Sequence, residues 1–142
     1  METVRHILQL KGYDVWSVLP DTTVFDELRL MADKGVGALL VMEGERLVGV
    51  MSERDYARKV ILEGKASKET RVGDIMTRNV YTIHPEQTVE EAMDTMVNKH
   101  IRHLPVVEND QVIGVISIMD TSRHVIYYQR EIIKNLTGRI PK

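Results

Sequence analysis

The string G-x-x-S-x-x-D occurs twice in this chain, at Gly49–Asp55 and at Gly114–Asp120. In each copy the glycine closes an apolar run typical of a strand. Serine with aspartate three residues later is a capping-box pattern that opens a helix. The same geometry could bind a nucleotide, because a helix N-terminus attracts phosphate and an exposed carboxylate can accept two ribose hydroxyls. The spacing leaves both interpretations open, a helix cap and a nucleotide site.

The two strings belong to a longer internal repeat. A shift of 65 residues places residues 15–55 on residues 80–120 without a gap, and 13 of the 41 aligned positions are identical. Ordinary residue usage would give roughly two or three identities. We therefore interpret the chain as two copies of one structural unit.

Each copy has the pattern of a strand, a helix, two strands and a second helix. The first helix of each copy follows a threonine with an acidic residue three positions later, at Thr23 and at Thr88. The turn sequences Glu43–Glu45 and Glu108–Asp110 lie between β-rich runs and predict hairpins. Units of this size bury too little surface to be stable alone. We expect an α/β (α+β) fold of two pseudo-symmetric β-α-β-β-α units packed through their sheets, with a cleft at each end of their interface.

The repeat also predicts the boundaries of the segments, with a polar linker between the copies. They are an N-terminal helix at 1–14, a first unit at 15–63, a linker and lead-in turn at 64–79, a second unit at 80–124 and a C-terminal helix at 125–142.

Composition argues against several classes of protein. The chain has 19 basic and 21 acidic residues, with a formal net charge of -2, so no basic surface is available to neutralise a nucleic-acid backbone. The absence of cysteine excludes disulfides and thiolate chemistry. No run approaches the roughly 18 apolar residues of a membrane span. We expect a cytoplasmic protein that contacts neither nucleic acid nor membrane.

Three further segments carry a resemblance to a known family. With the two G-x-x-S-x-x-D strings, IRHLPVV at Ile101–Val107 and VGDIMT at Val72–Thr77 resemble a tandem pair of cystathionine-β-synthase (CBS) domains, the Bateman module. MSERDYARKV at Met51–Val60 is similar to stand-alone bacterial CBS-pair proteins. The resemblance implies a regulatory module that binds AMP, ATP, NAD(H) or S-adenosylmethionine between its repeats. It also implies a homodimer that signals to a partner protein.

The resemblance implies two nucleotide sites, each of which combines residues of both copies. The first would be lined by Ser52, Arg54, Asp55, Arg58, Tyr81, Thr82, Ile83, Arg102 and His103. In it, Asp55 would hold the ribose, and Arg102 with His103 would hold the phosphate. The Thr82 region would meet the edge of the adenine.

The second implied site is weaker for phosphate. It would be lined by Trp16, Ser17, Val18, Gly37, Ala38, Ser117, Asp120 and Arg123. Gly37 and Ala38 take the places of Arg102 and His103, so Arg123 and His124 would have to supply the positive charge.

Neither a nucleophile with its base nor a paired-carboxylate device is recognisable in the sequence. His100 and His103 have no evident third partner for a metal. We expect a protein that is not an enzyme and has no catalytic cofactor.

A second interpretation remains open, a constitutive interaction or dimerisation scaffold without a physiological ligand. Apolar stripes near both ends of the chain, from Val4 to Leu10 and from Val125 to Leu136, could either seal the core of the module or bind another protein.

Overall fold

A computed structural model of the chain describes residues 2–138. Residue 1 and the last four residues of the predicted C-terminal helix at 125–142 lie outside the described residues. The elements in chain order are α1 (Val4–Lys11), β1 (Ser17–Val18), α2 (Val24–Lys34), β2 (Ala38–Glu43), β3 (Arg46–Ser52), α3 (Glu53–Tyr56), a π-helical turn (Ala57–Ile61), α4 (Val72–Ile75), α5 (Val89–Lys99), β4 (His103–Glu108), β5 (Gln111–Ser117) and α6 (Ile118–Thr137).

The fold is the mixed α/β arrangement that the repeat predicts, and it forms two compact units. One unit, called here the first-repeat unit, is Val15–Tyr81. The other, the second-repeat unit, joins the N-terminal segment up to Asp14 to the chain from Thr82 onward. The N-terminal helix α1 therefore belongs with the second repeat.

The first-repeat unit is built on a three-stranded sheet in the order β1-β2-β3. β1 pairs with β2 in parallel, and β2 pairs with β3 as an antiparallel hairpin. Its core residues come from every layer of the unit, because the apolar positions of α2 and of the strands face the same side. They are Val24, Val41, Met51, Val60, Val72, Ile75 and Met76.

The second-repeat unit contains the antiparallel hairpin β4-β5. Its core draws on α1, α5 and both strands, and includes Val4, Ile7, Leu8, Ile83, Val89, Ala92, Met96, Leu104, Val106 and Ile116. Each repeat thus supports a hydrophobic core of its own.

The predicted turns and helix caps are confirmed. Gly44 has φ 61°, and Asn109 and Asp110 have φ 53° and 62°, the left-handed values that tight hairpin turns need. The side chains of Thr23 and Thr88 each accept a hydrogen bond from the backbone N–H three residues later. The local sequence therefore determines where these elements begin and turn.

The first strand of the second repeat is shorter than the sequence predicts. VYTI contributes one parallel bridge, between Ile83 and Val106, whereas β1 pairs over two residues. In the first repeat the Leu40 N–H donates to the Trp16 carbonyl at 3.3 Å. The residue at the position of Leu40 is Pro105, which has no N–H to donate. The strand pairing cannot continue past this proline.

The segment that precedes each repeat packs in the unit of the other repeat, through equivalent backbone bonds. The Val4 N–H donates to the Gln87 carbonyl at 2.9 Å, and the Val72 N–H donates to the Thr22 carbonyl at 2.8 Å. Gln87 and Thr22 are 65 residues apart, but Val4 and Val72 are 68 apart. The repeat therefore extends into α1 and α4 once three residues are allowed between the two registers.

A glycine in each hairpin makes room for these preceding segments. A Cβ on Gly114 would lie 2.7 Å from Leu8 Cδ2, and one on Gly49 would lie 2.5 Å from Met76 Sδ. Both distances are shorter than van der Waals contact, so the absence of a side chain at these two positions lets α1 and the end of α4 reach the sheet.

The helices that follow the two Ser-x-x-Asp turns differ in form. After Ser52, α3 has one turn and continues into the π-helical turn, in which the Leu62 N–H reaches the Ala57 carbonyl. After Ser117, α6 runs unbroken to Thr137, across the predicted boundary at residue 124. Among residues 2–138 no helix has the length and apolar character needed to cross a membrane.

Candidate functional site

The Ser52–Asp55 turn is a complete capping box at the end of β3. The Ser52 N–H donates to Asp55 Oδ2 at 2.9 Å, and the Asp55 N–H donates to Ser52 Oγ at 3.2 Å. The Ser52 hydroxyl also donates to Oδ2, at 3.1 Å. The structural interpretation of this motif is therefore correct, and one carboxylate oxygen is used by the cap.

The other oxygen of Asp55 meets two side chains that the sequence analysis did not single out. Lys59 Nζ is 3.1 Å from Asp55 Oδ1, and the Thr77 hydroxyl donates to the same oxygen at 3.3 Å. Lys59 Nζ also donates to the Ile75 carbonyl at 2.9 Å. Both oxygens of Asp55 are thus engaged, and Lys59 ties this turn to α4.

The Ser117–Asp120 turn repeats the capping box at the end of β5. The Ser117 N–H donates to Asp120 Oδ2 at 2.8 Å, and the Asp120 N–H donates to Ser117 Oγ at 3.1 Å. Lys11 Nζ, from the last residue of α1, donates to the same Oδ2 at 2.7 Å and to the Val115 carbonyl at 2.9 Å. Every bond that the described residues make to this carboxylate ends on Oδ2.

The ion pair keeps Asp120 charged. Burial alone raises the pKa of a carboxyl, but the hydrogen bond from Lys11 and the Ser117 N–H outweigh it, and the pKa of Asp120 lies below its ordinary value. An ionised carboxylate offers acceptors only. At neutral pH the Asp120 side chain can therefore accept hydrogen bonds from hydroxyls, as a ribose-binding carboxylate must.

Two predicted phosphate ligands lie beside the second turn. His103 pairs with Ser117 across the β4-β5 hairpin, and the Arg102 carbonyl accepts the Ile118 N–H at 2.9 Å. Arg102 is exposed and His103 is half-buried. Arg123 is also exposed, on the second turn of α6. The second-repeat unit thus brings basic side chains to its own Ser-x-x-Asp turn.

The corresponding place in the first-repeat unit has no basic side chain at the start of β2. Ala38 pairs with Ser52, and the Gly37 carbonyl accepts the Glu53 N–H at 3.1 Å. Arg54 and Arg58, on α3 and the π-helical turn, are exposed. The asymmetry that the sequence predicts between positions 37–38 and 102–103 is therefore present at equivalent places in the two units.

The predicted residues near β1 and its counterpart have mixed surroundings. Trp16 is 37% exposed, and Lys34 Nζ lies 4.2 Å from the centre of its ring. Ser17 is exposed and Val18 packs against the core.

In the second-repeat strand, Thr82 is exposed, and Tyr81, at the end of the first-repeat unit, is exposed as well. Ile83 is 3% exposed, and its backbone N–H and carbonyl both bond to β4. Its role in the described structure is to fill the core.

Glu27 is a functional candidate that sequence reasoning missed. It is fully buried on α2, and neither carboxylate oxygen has a hydrogen-bond partner in the described chain. Burial, together with the charges of Asp55 and Glu53, raises its pKa from 4.5 to about 8. The signal in the sequence is the repeat itself, because the residue 65 positions later is the buried Ala92.

A cavity of about 330 Å³ lies beside this acid in the first-repeat unit. It is lined by Leu28, Met31, Ala32, Gly35, Val36, Gly37 and Glu53. Its volume is at the lower end of the range for small-molecule sites, and its wall is mostly apolar. Among residues 2–138, no three histidine or acidic side chains lie close enough together to hold a metal ion.

The residues missed by the sequence analysis share one property. Lys11, Lys59 and Thr77 are distant in sequence from the Ser-x-x-Asp strings or differ between the repeats. Their positions at the carboxylates depend on how α1 and α4 pack. The 68-residue register of the preceding segments could have shown that these segments reach the turns.

Two α/β units, each with a capped Ser-x-x-Asp turn after a β-hairpin, define a module built by duplication of one small repeat. The family model for the CBS domain matches residues 4–62 and 72–127. The chain belongs to the CBS domain family. The two matched ranges begin 68 residues apart and include α1 and α4, in agreement with the register of the preceding segments.

Solved structures share this fold. A putative signal-transduction protein with CBS domains from Burkholderia ambifaria MC40-6 is 45% identical, with a TM-score of 0.87 over 89% of this chain and 96% of that one. The CBS domain pair of protein MJ0100, in complex with 5′-methylthioadenosine and S-adenosyl-L-methionine, is 25% identical. Its TM-score is 0.77 over 87% of this chain and 98% of that one.

Curated relatives are also CBS proteins. The mitochondrial CBS domain-containing protein CBSX3 of Arabidopsis thaliana is 38% identical over 97% of this chain and 71% of its own length. The Arabidopsis protein CBSCBSPB2 is 36% identical over 80% of this chain, but that match spans only 22% of its length.

Proposed function

We propose that this CBS pair is a regulatory module that binds an adenosine-containing ligand, such as AMP, ATP or NAD(H), and signals to a partner protein. The observation that carries the proposal is the charged carboxylate at the end of each hairpin, placed by a capping box. Asp55 and Asp120 are each 13% exposed at the side chain. The complex of the MJ0100 CBS pair with two adenosine compounds supports this class of ligand.

The Asp120 turn is the stronger candidate for the ribose. Its described bonds leave Oδ1 available, whereas both oxygens of Asp55 have partners. Lys11, Arg102 and Arg123 add positive charge around the second turn for a phosphate. The predicted preference for Asp55 is thus reversed in this proposal. The first-repeat cavity, which includes Gly37, is proposed as a place for an apolar ring such as adenine.

The test uses substitutions that keep the caps. Asp120→Asn retains an oxygen that can accept the Ser117 N–H, but it removes the charge. We expect AMP, ATP or NAD(H) to raise the Tm of the unsubstituted protein and to bind the Asp120→Asn variant at least tenfold more weakly in isothermal titration calorimetry, because hydrogen bonds to charged groups contribute about 1.5–3 kcal/mol.

Asp26→Asn is the matched control, since Asp26 occupies the same position after the Thr23 cap of α2 and belongs to no predicted site. Its ligand affinity should equal that of the unsubstituted protein. No binding of any adenosine ligand to the unsubstituted protein would reject the proposal.

A second observation favours association with another protein. The outer half of α6 exposes Ile126, Tyr127, Tyr128, Ile132, Ile133 and Leu136, each at least 41% exposed. A contiguous apolar surface of this kind is typical of an interface. We propose that α6 contributes to a homodimer, and the scaffold interpretation would rest on the same surface.

The cellular location is a separate part of the proposal. The sequence analysis favours the cytoplasm, whereas the Arabidopsis relative is named as mitochondrial. Fractionation of cells that produce the tagged full-length protein would decide between the cytoplasm and another compartment.

A further inference from the structure

Lys11 combines two features that matter for any ligand of the second turn. Its ammonium lies 2.7 Å from Asp120 Oδ2, and its side chain is 38% exposed. The rest of α1 is held by the buried residues Val4, Ile7 and Leu8. A molecule that approaches Asp120 from solvent therefore meets a cation whose backbone position is fixed.

The lysine of the first turn is held differently. Lys59 Nζ lies near three acceptors, Asp55 Oδ1, the Ile75 carbonyl and the Thr77 hydroxyl, at 3.1, 2.9 and 3.4 Å. An ammonium has three N–H donors, so Lys59 can use all of them within its own unit. Lys11 uses two within the described chain, for Asp120 and Val115.

We infer that Lys11 sets the charge preference of the Asp120 site, so that the site favours adenosine ligands that carry phosphate over those that carry a sulfonium. This inference rests on the proposed function and adds the class of adenosine ligand. With Lys11 in place, the Lys11–Asp120 pair has no net charge. Without Lys11, the site is negative, which repels phosphate and attracts a cationic ligand.

The distinction from a structural role is the dependence on ligand charge. A lysine that only positions Asp120 would affect every ribose-containing ligand by the same factor. A lysine that acts through its charge would weaken an anion, leave a neutral nucleoside unchanged and strengthen a cation upon its removal. Three ligands with the same adenosine group separate these cases.

The experiment measures Kd by calorimetry for AMP, adenosine and S-adenosylmethionine, in an Asp55→Asn background so that the Asp120 turn is the site observed. For Lys11→Met we expect the Kd of AMP to rise about tenfold, that of adenosine to change by less than about twofold, and that of S-adenosylmethionine to fall a few-fold. Lys11→Arg, which keeps the charge, should retain most of the affinity for AMP.

Lys134→Met is the matched control. Lys134 is fourteen residues beyond Asp120 on the same helix, which is about 21 Å at 1.5 Å per residue, well beyond the screening length of about 8 Å at physiological salt. Its removal changes the net charge of the protein by the same amount, but it should leave all three Kd values unchanged.

Equal changes for the three ligands, or no change for any, would overturn the role of Lys11 and leave the proposed function standing. Loss of all binding in the Asp55→Asn background would overturn the assignment of the ligand to Asp120. If the unsubstituted chain binds none of the three, both the inference and the proposed function are wrong.

Discussion

Single residues show where the two copies have diverged. The buried position that is Ala92 in the second repeat is Glu27 in the first. A buried carboxyl without partners costs free energy, and it lowers this cost by keeping its proton. The stability of the first-repeat unit therefore depends on the protonation of one side chain.

Glu27→Gln should remove a pH dependence of folding. The pKa of Glu27 is 4.5 in ordinary surroundings and about 8 in the fold, so between these values the folded chain holds a proton that the unfolded chain has released. The free energy of unfolding therefore falls as pH rises through this window, by up to about 1.4 kcal/mol per pH unit.

Urea denaturation of both proteins at pH 5 and pH 8 measures this effect. We expect the unsubstituted protein to lose more stability than Glu27→Gln between the two pH values. The histidines titrate in the same window, but they are common to both proteins and cancel in the comparison. Glu90→Gln, at an exposed site on α5, is the control. Identical pH profiles for the two proteins would show that Glu27 is not protonated in the fold.

At the scale of elements, α1 is part of the second-repeat unit. Leu8 is fully buried and lies over Gly114, where a Cβ would be 2.7 Å from its Cδ2. A helix of eight residues is marginal in isolation, so α1 is stabilised by this packing and positions Lys11 at its end. The function proposed for Lys11 depends on the contact between a leucine and a glycine.

A double-mutant cycle tests this packing. Leu8→Ala should lower the free energy of unfolding by about 2–5 kcal/mol, and Gly114→Ala by about 1–3 kcal/mol because the new methyl group meets Leu8. The double variant should lose less than the two losses added together, since Leu8→Ala makes space for the methyl group. Denaturant unfolding measures all three. Strict additivity would show that Gly114 does not accommodate Leu8.

At the scale of the whole molecule, the outer half of α6 presents the largest apolar helix surface in the described chain that is not covered by its own unit. The solved structure of a hexameric CBS-CP12 protein, 26% identical with a TM-score of 0.79, shows that a protein with this fold can form assemblies. The α6 surface is where we expect a second copy to bind.

Ile133→Glu should weaken self-association at least tenfold, because a charge would be buried without a partner at the interface. Ile133 is 45% exposed in the single chain, so the substitution should leave the Tm of the monomer nearly unchanged. Analytical ultracentrifugation across a concentration series measures the association. Asn135→Glu adds the same charge to an exposed site on the same helix and serves as the control. A monomer at all concentrations, before any substitution, would contradict the proposed homodimer.

The sequence by itself determined the duplication, the hairpin turns, the threonine caps and the two Ser-x-x-Asp boxes. These features depend on neighbouring residues, such as Asn109 with Asp110 in a left-handed turn, and local chemistry is readable in a single sequence. The loss of most of the strand before Ile83 was also encoded, in Pro105, but it needed the strand register to become visible.

Only the tertiary structure decided which side chains reach the two carboxylates. Lys11 is 109 residues from Asp120 in the chain, and it arrives there because α1 packs in the second-repeat unit. The burial of Glu27 likewise depends on what covers α2, which the helical pattern of its own segment does not reveal. Contacts between distant segments follow from the packing of whole elements, and for this reason the chemistry of the site was visible only in the fold.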